Sequence, residues 1–140
     1  MARKIQASGT ILILLDCEDD CPATLAPQLL QRAQRVRSDV NISVVLAYRE
    51  FETWFLTAAE SLRSCCNLAA DLMPPAQPEA IRGAKEWLAE RMSGKYSETI
   101  DQARLAARMN LELARQSPSF DKLYREMEKA FSASSSLAEP

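Results

Sequence analysis

The sequence predicts an α/β fold: a short parallel sheet, formed by a βαβ unit over residues 10–47, is packed by helices and followed by a helical C-terminal half. Two aliphatic runs, Ile11–Leu15 and Val40–Ala47, have the length and composition of buried strands. The segment between them has apolar residues at helical spacing, which is typical of a crossover between parallel strands. After residue 50 the apolar spacing is helical.

Composition indicates one globular domain over residues 1–131, followed by a serine-rich tail over 132–140 that we expect to be disordered. No apolar run is long enough for a transmembrane span or a signal peptide, so we expect a cytoplasmic location and no membrane partner. The net charge of −2 gives the whole chain no electrostatic preference for nucleic acid. The absence of histidine excludes Ser-His-Asp and Cys-His catalysis and histidine-ligated metal sites.

The four cysteines, Cys17, Cys21, Cys65 and Cys66, are not arranged in paired Cys-x-x-Cys motifs. A four-thiolate zinc site would require the adjacent Cys65 and Cys66 to reach one ion, which is geometrically awkward. Reduced thiols of a cytosolic protein are therefore the better interpretation.

At the N-terminus, Arg3–Ser8 followed by Gly9 is typical of the last turns of a helix, so the chain begins within an element. The crossover helix is predicted over Pro22–Arg37, although Pro27 favours a start near Ala26. Two parallel strands are too few to bury both faces of a sheet. We therefore expect further strands from the N-terminal side or from another chain.

Helices are predicted beyond the second strand, with a proline-containing loop at 71–78 between the first and the second of them. They cover Glu50 to about Asn67, Glu79–Met92 ended by Gly94, Glu98–Met109, Leu111–Gln116 and Ser119–Phe131. In the last helix Leu123, Met127 and Phe131 are spaced for a core. Trp54, Phe55 and Trp87 are also predicted to be core residues rather than platforms for stacking bases, because their neighbours have amphipathic spacing.

Acidic residues follow the first strand directly. They are Asp16, Glu18, Asp19 and Asp20. Ligands of α/β sheets bind at the carboxyl ends of parallel strands, and converging carboxylates repel one another unless a cation or a proton bridges them. Hard oxygen ligands suit Mg²⁺ or Mn²⁺, so Asp16, Glu18 and Asp20 are candidate metal ligands. The alternative is a solvated acidic turn that caps the next helix.

Two more acids, Glu50 and Glu52, follow the second strand next to Arg49. Adjacent parallel strands end about 5 Å apart, so these carboxylates could reach the same cation as Asp16. They are the candidate catalytic residues. Alternatively, they only favour the positive end of the following helix.

The candidate phosphate-binding residues are Lys95 and Lys122. Lys95 precedes Tyr96 in a set that extends to Gln102, and Lys122 lies with Ser119 at the start of the last helix, where an anion could bind. A surface turn and a simple helix cap are the alternatives. No glycine-rich phosphate loop is present, which argues against ATP hydrolysis by this chain itself.

Four blocks resemble, in matching order, a bacterial Toprim-like family of unknown function that is related to the overcoming-lysogenization-defect nucleases. The blocks are Leu14–Pro22, Tyr48–Leu56, Gly94–Gln102 and Pro118–Leu123. The resemblance implies a Toprim-type core, Mg²⁺ or Mn²⁺ as cofactor, and an ATPase partner. It maps the family's Asp-x-Asp metal motif onto Asp16 and Glu18, with Asp20 as a further candidate, and its Phe-Glu-x-Trp block onto Phe51, Glu52 and Trp54.

The chain departs from the family pattern in two ways. The first strand with its Glu-Gly motif would lie before Met1, and the second aspartate of the Asp-x-Asp motif is Glu18. Two functions follow as hypotheses. One is a Mg²⁺-dependent Toprim-like nuclease, or its inactive remnant, that acts on nucleic acid through the metal and works with an ATPase in phage or plasmid defence. The other is a non-catalytic interaction subunit that completes its sheet with a partner or as a homo-oligomer.

Overall fold

The structure is a computed structural model that describes residues 9–136, with side chains to residue 133. It has two strands, six α-helices and short 3₁₀ turns within that range. The elements are β1 (Thr10–Asp16), α1 (Pro22–Val36), β2 (Asn41–Ala47), α2 (Thr53–Thr57), α3 (Ala84–Glu90), α4 (Asp101–Arg108), α5 (Leu111–Ala114) and α6 (Pro118–Ser136). This is the predicted α/β fold with a helical C-terminal half. The predicted helix end before Gly9 lies outside the described residues.

Strands β1 and β2 pair in parallel along their whole length, from Thr10 opposite Asn41 to Asp16 opposite Ala47. With α1 as the crossover, they form the predicted βαβ unit. On one face of the sheet, α1 packs over a cluster that includes Val44 and Leu46. The helices after β2 cover the other face. Leu12 and Leu15 of β1 nevertheless stay 38% and 46% exposed.

Helix α1 begins at Pro22 and contains Pro27, so the prediction of a start near Ala26 was wrong. Proline fits the first position of a helix, because its fixed φ is helical and the N–H it lacks has no partner there anyway. Pro27 removes the hydrogen bond to the carbonyl of Ala23. Both residues are exposed, so water can satisfy that carbonyl.

The predicted helix from Glu50 to about Asn67 is wrong in extent, because only Thr53–Thr57 is α-helical. A 3₁₀ turn at Ala59–Leu62 follows, and a second turn contains three residues with left-handed backbone. Tertiary pairing replaces the helix there. Leu68 forms an antiparallel bridge with Met92, and the N–H of Ala69 donates to the carbonyl of Arg91.

The predicted helix over Glu79–Met92 is also shorter than expected. Pro78–Ala80 forms a 3₁₀ turn, and α3 begins only after Gly83, whose φ of 75° is not helical. The helix ends at Glu90 rather than at Gly94, because Met92 is drawn into the bridge with Leu68.

Helix α6 lies along β2 and extends further than predicted. The N–H of Tyr48, just after the strand, donates a hydrogen bond to the Ser119 hydroxyl. The Ser43 hydroxyl, near the start of the strand, donates to the Glu126 carboxylate. Residues beyond Glu126 therefore lie past Ser43, near the start of β2. Met127 and Phe131 are 41% and 66% exposed, so their assignment to the core was wrong, unlike that of buried Leu123. The helix continues to Ser136, beyond its predicted end at Phe131.

The main core lies between β2 and the helices that follow it. Trp54 and Phe55 are fully buried there, which confirms their predicted role, and Trp87 packs against the same cluster while the guanidinium of Arg91 lies 3.9 Å from the centre of its ring. Within residues 9–136, no helix has the length and apolar character needed to cross a membrane.

Candidate functional site at the carboxyl ends of the strands

The parallel register brings the loops that follow β1 and β2 side by side. Pairing continues past the strands, because the N–H of Cys17 donates to the carbonyl of Ala47 (3.0 Å) and the N–H of Glu18 donates to that of Arg49 (2.8 Å). Glu18 and Arg49 both have left-handed backbone, with φ of 48° and 62°. The two loops therefore turn in the same direction, and their charged side chains meet at one edge of the sheet.

A pocket of about 250 Å³ opens at this edge and has a mixed charge. Its walls contain four carboxylates, three basic side chains and one glycine: Asp16, Glu18, Asp19, Glu50, Arg49, Arg82, Lys85 and Gly83. The acids come from the two strand ends. Two of the bases and the glycine come from the segment that opens α3. Such a combination suits a ligand that carries both a cation and an anionic group.

Asp16 is fixed by the loop that follows β2. Its Oδ1 accepts a hydrogen bond of 2.8 Å from the backbone N–H of Phe51. Desolvation by the surrounding protein raises the pKa of Asp16 above the ordinary 3.8, and the negative charges of Glu52 and Glu50 add to this effect, whereas the Phe51 N–H and Lys85 oppose it. The site therefore crowds carboxylates together, which is the condition that a bound cation relieves.

Glu52 is fully buried next to the pocket and is only half satisfied. Its Oε1 accepts hydrogen bonds from the Tyr96 hydroxyl (2.8 Å) and the Gln102 amide (3.0 Å), while Oε2 has no hydrogen-bond partner within the described residues. Burial and the adjacent Glu52 carboxylate raise the pKa of Tyr96 well above its ordinary value, so its hydroxyl remains a donor. A buried carboxylate oxygen without a partner costs free energy, which makes it a candidate ligand atom.

Glu50 connects the β2 loop to α3. Its Oε2 accepts from the backbone N–H groups of Ala84 (2.9 Å) and Lys85 (3.3 Å), the first residues of that helix. This carboxylate supplies acceptors for N–H groups that the helix leaves free, and it lies at the positive end of the helix dipole. The alternative interpretation of Glu50 was that it stabilises the N-terminus of a helix. It makes such a contact here, although with α3 and not with the helix that directly follows it.

The basic side chains of the pocket are already paired with acids. Arg82 donates to Oδ1 of Asp19 at 2.6 Å, and the guanidinium of Arg49 lies 3.7 Å from the same oxygen. Lys85 pairs with Glu98 at 3.1 Å. That hydrogen bond, supported by the charges of Glu52 and Glu50, raises the pKa of Lys85, so the pocket keeps this positive charge at neutral pH.

Residues 2–128 match the model of a family described as a domain of unknown function, DUF4276. The chain belongs to the DUF4276 family. The predicted membership of a family of unknown function is therefore confirmed at that level. Neither the curated proteins nor the solved structures contain a significant match to it.

In this DUF4276 chain, some of the predicted site residues lie together and others lie apart. Asp16, Glu18 and Glu50 line one pocket, and Glu52 is buried beside it. The other three candidates do not line this pocket. Asp20 is exposed in the turn after β1, Lys95 is exposed beside Tyr96, and Lys122 lines a separate groove against α1.

Sequence reasoning missed Arg82 and Lys85, which the fold places opposite the acids. A signal was present in the segment Arg-Gly-Ala-Lys, where a glycine precedes a helix and allows a left-handed turn between two bases. Tyr96 and Gln102 were noticed only as a weak group near Lys95. Their contact is with Glu52 instead.

The donor set fits one class of metal site and not another. Across residues 9–136, no three acidic or cysteine side chains converge in a ready-made cage for an ion. Mg²⁺, however, commonly binds through only one or two carboxylates and completes its shell with water and substrate oxygens. Only Oδ1 of Asp16 accepts a hydrogen bond from the described residues, which leaves its Oδ2 free, and Oε2 of Glu52 has no partner among them. These two oxygens are the ones that a two-carboxylate site would take from this chain.

Proposed function

We propose that this chain is a Toprim-like, Mg²⁺-dependent phosphodiesterase, or a form of one that keeps the metal site without the activity. The observation that carries the proposal is the buried Oε2 of Glu52, which has no hydrogen-bond partner within the described residues and belongs to a carboxylate whose charge raises the pKa of Asp16. When bound, Mg²⁺ would stabilise the charge that develops on a phosphodiester and lower the pKa of an attacking water.

The residues around this pair have separable roles in the proposal. Asp16 and Glu52 hold the cation, and Glu18 contributes a further oxygen from the pocket wall. Tyr96 and Gln102 fix Glu52 by occupying only its Oε1, which keeps Oε2 directed away from them. Arg49, Arg82 and Lys85 line the same pocket and would contact a phosphate there, which is the role first assigned to Lys95 and Lys122.

The proposal includes nucleic acid as substrate and an ATPase as partner in phage or plasmid defence. Both rest on the resemblance of the four blocks to the Toprim-like family. The acids of the pocket would repel a polyanion by themselves, so substrate binding would depend on the metal and on Arg49, Arg82 and Lys85. We therefore expect any affinity for nucleic acid to require a divalent cation.

Calorimetric titration with Mn²⁺ tests the metal site. We expect the chain to bind one ion and expect both Asp16→Ala and Glu52→Gln to lose most of that affinity. Asp71→Ala is the matched control, because Asp71 is an exposed acid in a turn and does not line the pocket. Equal binding by all four proteins, or binding by none, would refute the shared site.

Activity is measured separately, on supercoiled plasmid and on single-stranded RNA with Mg²⁺, with Mn²⁺ and with a chelator. Metal-dependent cleavage that Glu52→Gln abolishes would establish the phosphodiesterase. Metal binding without cleavage of either substrate would identify the inactive form. Cleavage that survives in Glu52→Gln would come from a contaminant or another site and would contradict the proposal.

A non-catalytic interaction subunit is the second candidate, and the exposed apolar side chains of β1 favour it. Leu12 and Leu15 lie on a strand that pairs on one side only within the described residues. An open strand edge is a template for pairing with a second copy. Light scattering over a range of concentrations tests this, since Leu15→Glu should reduce the average mass if copies associate through β1. A monomer at every concentration would refute self-association.

A further inference from the structure

A second reactive feature lies outside the pocket, at the adjacent cysteines that follow the Ala59–Leu62 turn. The Sγ atoms of Cys65 and Cys66 are 3.5 Å apart, both residues are partly exposed, and neither is in a disulfide. Adjacent residues in a strand point to opposite faces, so sulfurs this close require an unusual backbone.

The unusual backbone is present in the turn itself. Ser64, Cys66 and Asn67 all have left-handed conformations, with φ of 59°, 51° and 63°. Hydrogen bonds on the C-terminal side hold the turn, because the N–H of Leu68 donates to the carbonyl of Cys65 (2.9 Å) and the N–H of Ser93 donates to that of Asn67 (3.0 Å). A left-handed cysteine is uncommon and persists only where the surrounding structure determines it. The fold therefore holds the two sulfurs together.

We propose that Cys65 and Cys66 form a vicinal dithiol that a low-molecular-weight disulfide, such as oxidised glutathione, converts reversibly into an intramolecular disulfide. The thiolate of one cysteine of the pair attacks one sulfur of oxidised glutathione, forms a mixed disulfide and releases one glutathione. The thiol of the other cysteine then loses its proton, attacks the protein sulfur of the mixed disulfide and releases the second glutathione. Two protein thiols are oxidised, and one glutathione disulfide is reduced to two thiols.

The environment of the pair affects how readily each thiol forms a thiolate. Burial, together with the neighbouring Cys65 thiol, raises the pKa of Cys66 to about 11, which lowers the thiolate fraction of this sulfur at neutral pH. Once Cys65 carries glutathione, the high local concentration of the adjacent thiol compensates for its small thiolate fraction.

The disulfide formed here would be easily reduced. The Cα atoms of neighbouring residues are about 3.8 Å apart, which is shorter than the usual separation in disulfides, and deviation from that geometry stores strain. Strained disulfides have more oxidising potentials and are the labile ones. We therefore expect the Cys65–Cys66 bond to open again in reduced glutathione under conditions that leave ordinary structural disulfides closed.

Tryptic mapping after oxidation can test the proposal, because trypsin places the two pairs of cysteines in different peptides. Cleavage after Arg63 and Arg82 gives a peptide whose only cysteines are Cys65 and Cys66, whereas Cys17 and Cys21 fall in another peptide. The folded protein is treated with oxidised glutathione, its remaining thiols are alkylated, and the peptides are weighed. We expect the 64–82 peptide to lose two hydrogens and to take up no alkyl group.

Variants and an unfolded control make the result specific. Cys66→Asn introduces asparagine, which tolerates the left-handed backbone at this position. This variant should stop the reaction at a stable mixed disulfide on Cys65. Cys21→Ser should leave the internal disulfide unchanged. In concentrated urea we expect a smaller share of internal disulfide, because the turn no longer holds the sulfurs together. A fully alkylated wild-type peptide, two glutathiones on it, a disulfide between chains, or an equal yield in urea would overturn the proposal.

Discussion

Replacement of Glu52 by glutamine should stabilise the metal-free protein while it removes metal binding. The glutamine carbonyl can accept the hydrogen bonds of Tyr96 and Gln102 that Oε1 accepts now. The buried Oε2 has no partner, and leaving such an atom unsatisfied costs about 1–3 kcal/mol. An uncharged amide lowers the cost of burial and can donate toward Asp16. We expect a gain of about 1 kcal/mol, or about 3 °C in Tm.

Glu52→Leu is the matched comparison, because it removes the acceptor together with the charge. The Tyr96 hydroxyl and the Gln102 amide then lose their partner, and we expect a loss of about 2–4 kcal/mol. Urea unfolding of the three proteins, each with a chelator and with Mn²⁺, measures both effects. Mn²⁺ should raise the unfolding midpoint of the wild type alone. If Glu52→Gln is as unstable as Glu52→Leu, the carboxylate is a structural group and our reasoning about a ligand is refuted.

Further predictions concern the framework of the site and its connection to the core. Ser119→Ala should cost about 1–3 kcal/mol in urea unfolding, because the buried Trp54 indole N–H loses its 2.8 Å acceptor, whereas Ser119→Thr should cost less. Gly83→Ala should cost about 1 kcal/mol or more, since the φ of 75° is a left-handed conformation that alanine rarely adopts; an unchanged unfolding midpoint would contradict this. Ser43 and Lys129 hold the pKa of Glu126 below its ordinary 4.5. The stabilisation by this carboxylate is therefore complete above pH 4.5 and is lost as the pH falls through the folded-state value, so Glu126→Gln should be less stable than the wild type at neutral pH and equal to it in strong acid.

The βαβ unit was predictable because its signals are local and agree with one another. Aliphatic runs of strand length flank a segment with helical spacing, and Pro22 suits the first turn of a helix. The break after Thr57 was not predictable from spacing. The residues there are apolar on one helical stripe, but the antiparallel pairing of Leu68 with Met92 depends on a contact between distant segments. Periodicity contains no information about such pairing, so tertiary structure replaced the expected helix.

The acidic side chains of the candidate site were predictable from the sequence, whereas its basic side chains were not. Asp16 and Glu50 directly follow paired strands, and parallel pairing alone requires them to meet. Arg82 and Lys85 lie more than thirty residues further along the chain, and their position depends on where α3 begins. That start is fixed by Gly83 and by the carboxylate of Glu50, which is a tertiary contact.

One short segment after β2 contributes to both the core and the site. The N–H of Phe51 holds Asp16, Glu52 provides the buried carboxylate, and Trp54 is buried in the core and bonded to Ser119 of α6. A shift of α6 against this segment must therefore displace the acids as well, because only one residue separates Glu52 from Trp54. Ser119→Ala should accordingly weaken Mn²⁺ binding although Ser119 does not line the pocket, whereas a truncation in the separate cluster under α1, such as Leu29→Ala, should lower stability and leave the affinity of the folded protein unchanged. Calorimetry below the unfolding temperature of each variant separates these outcomes, and equal losses of affinity would show that the site does not depend on this segment in particular.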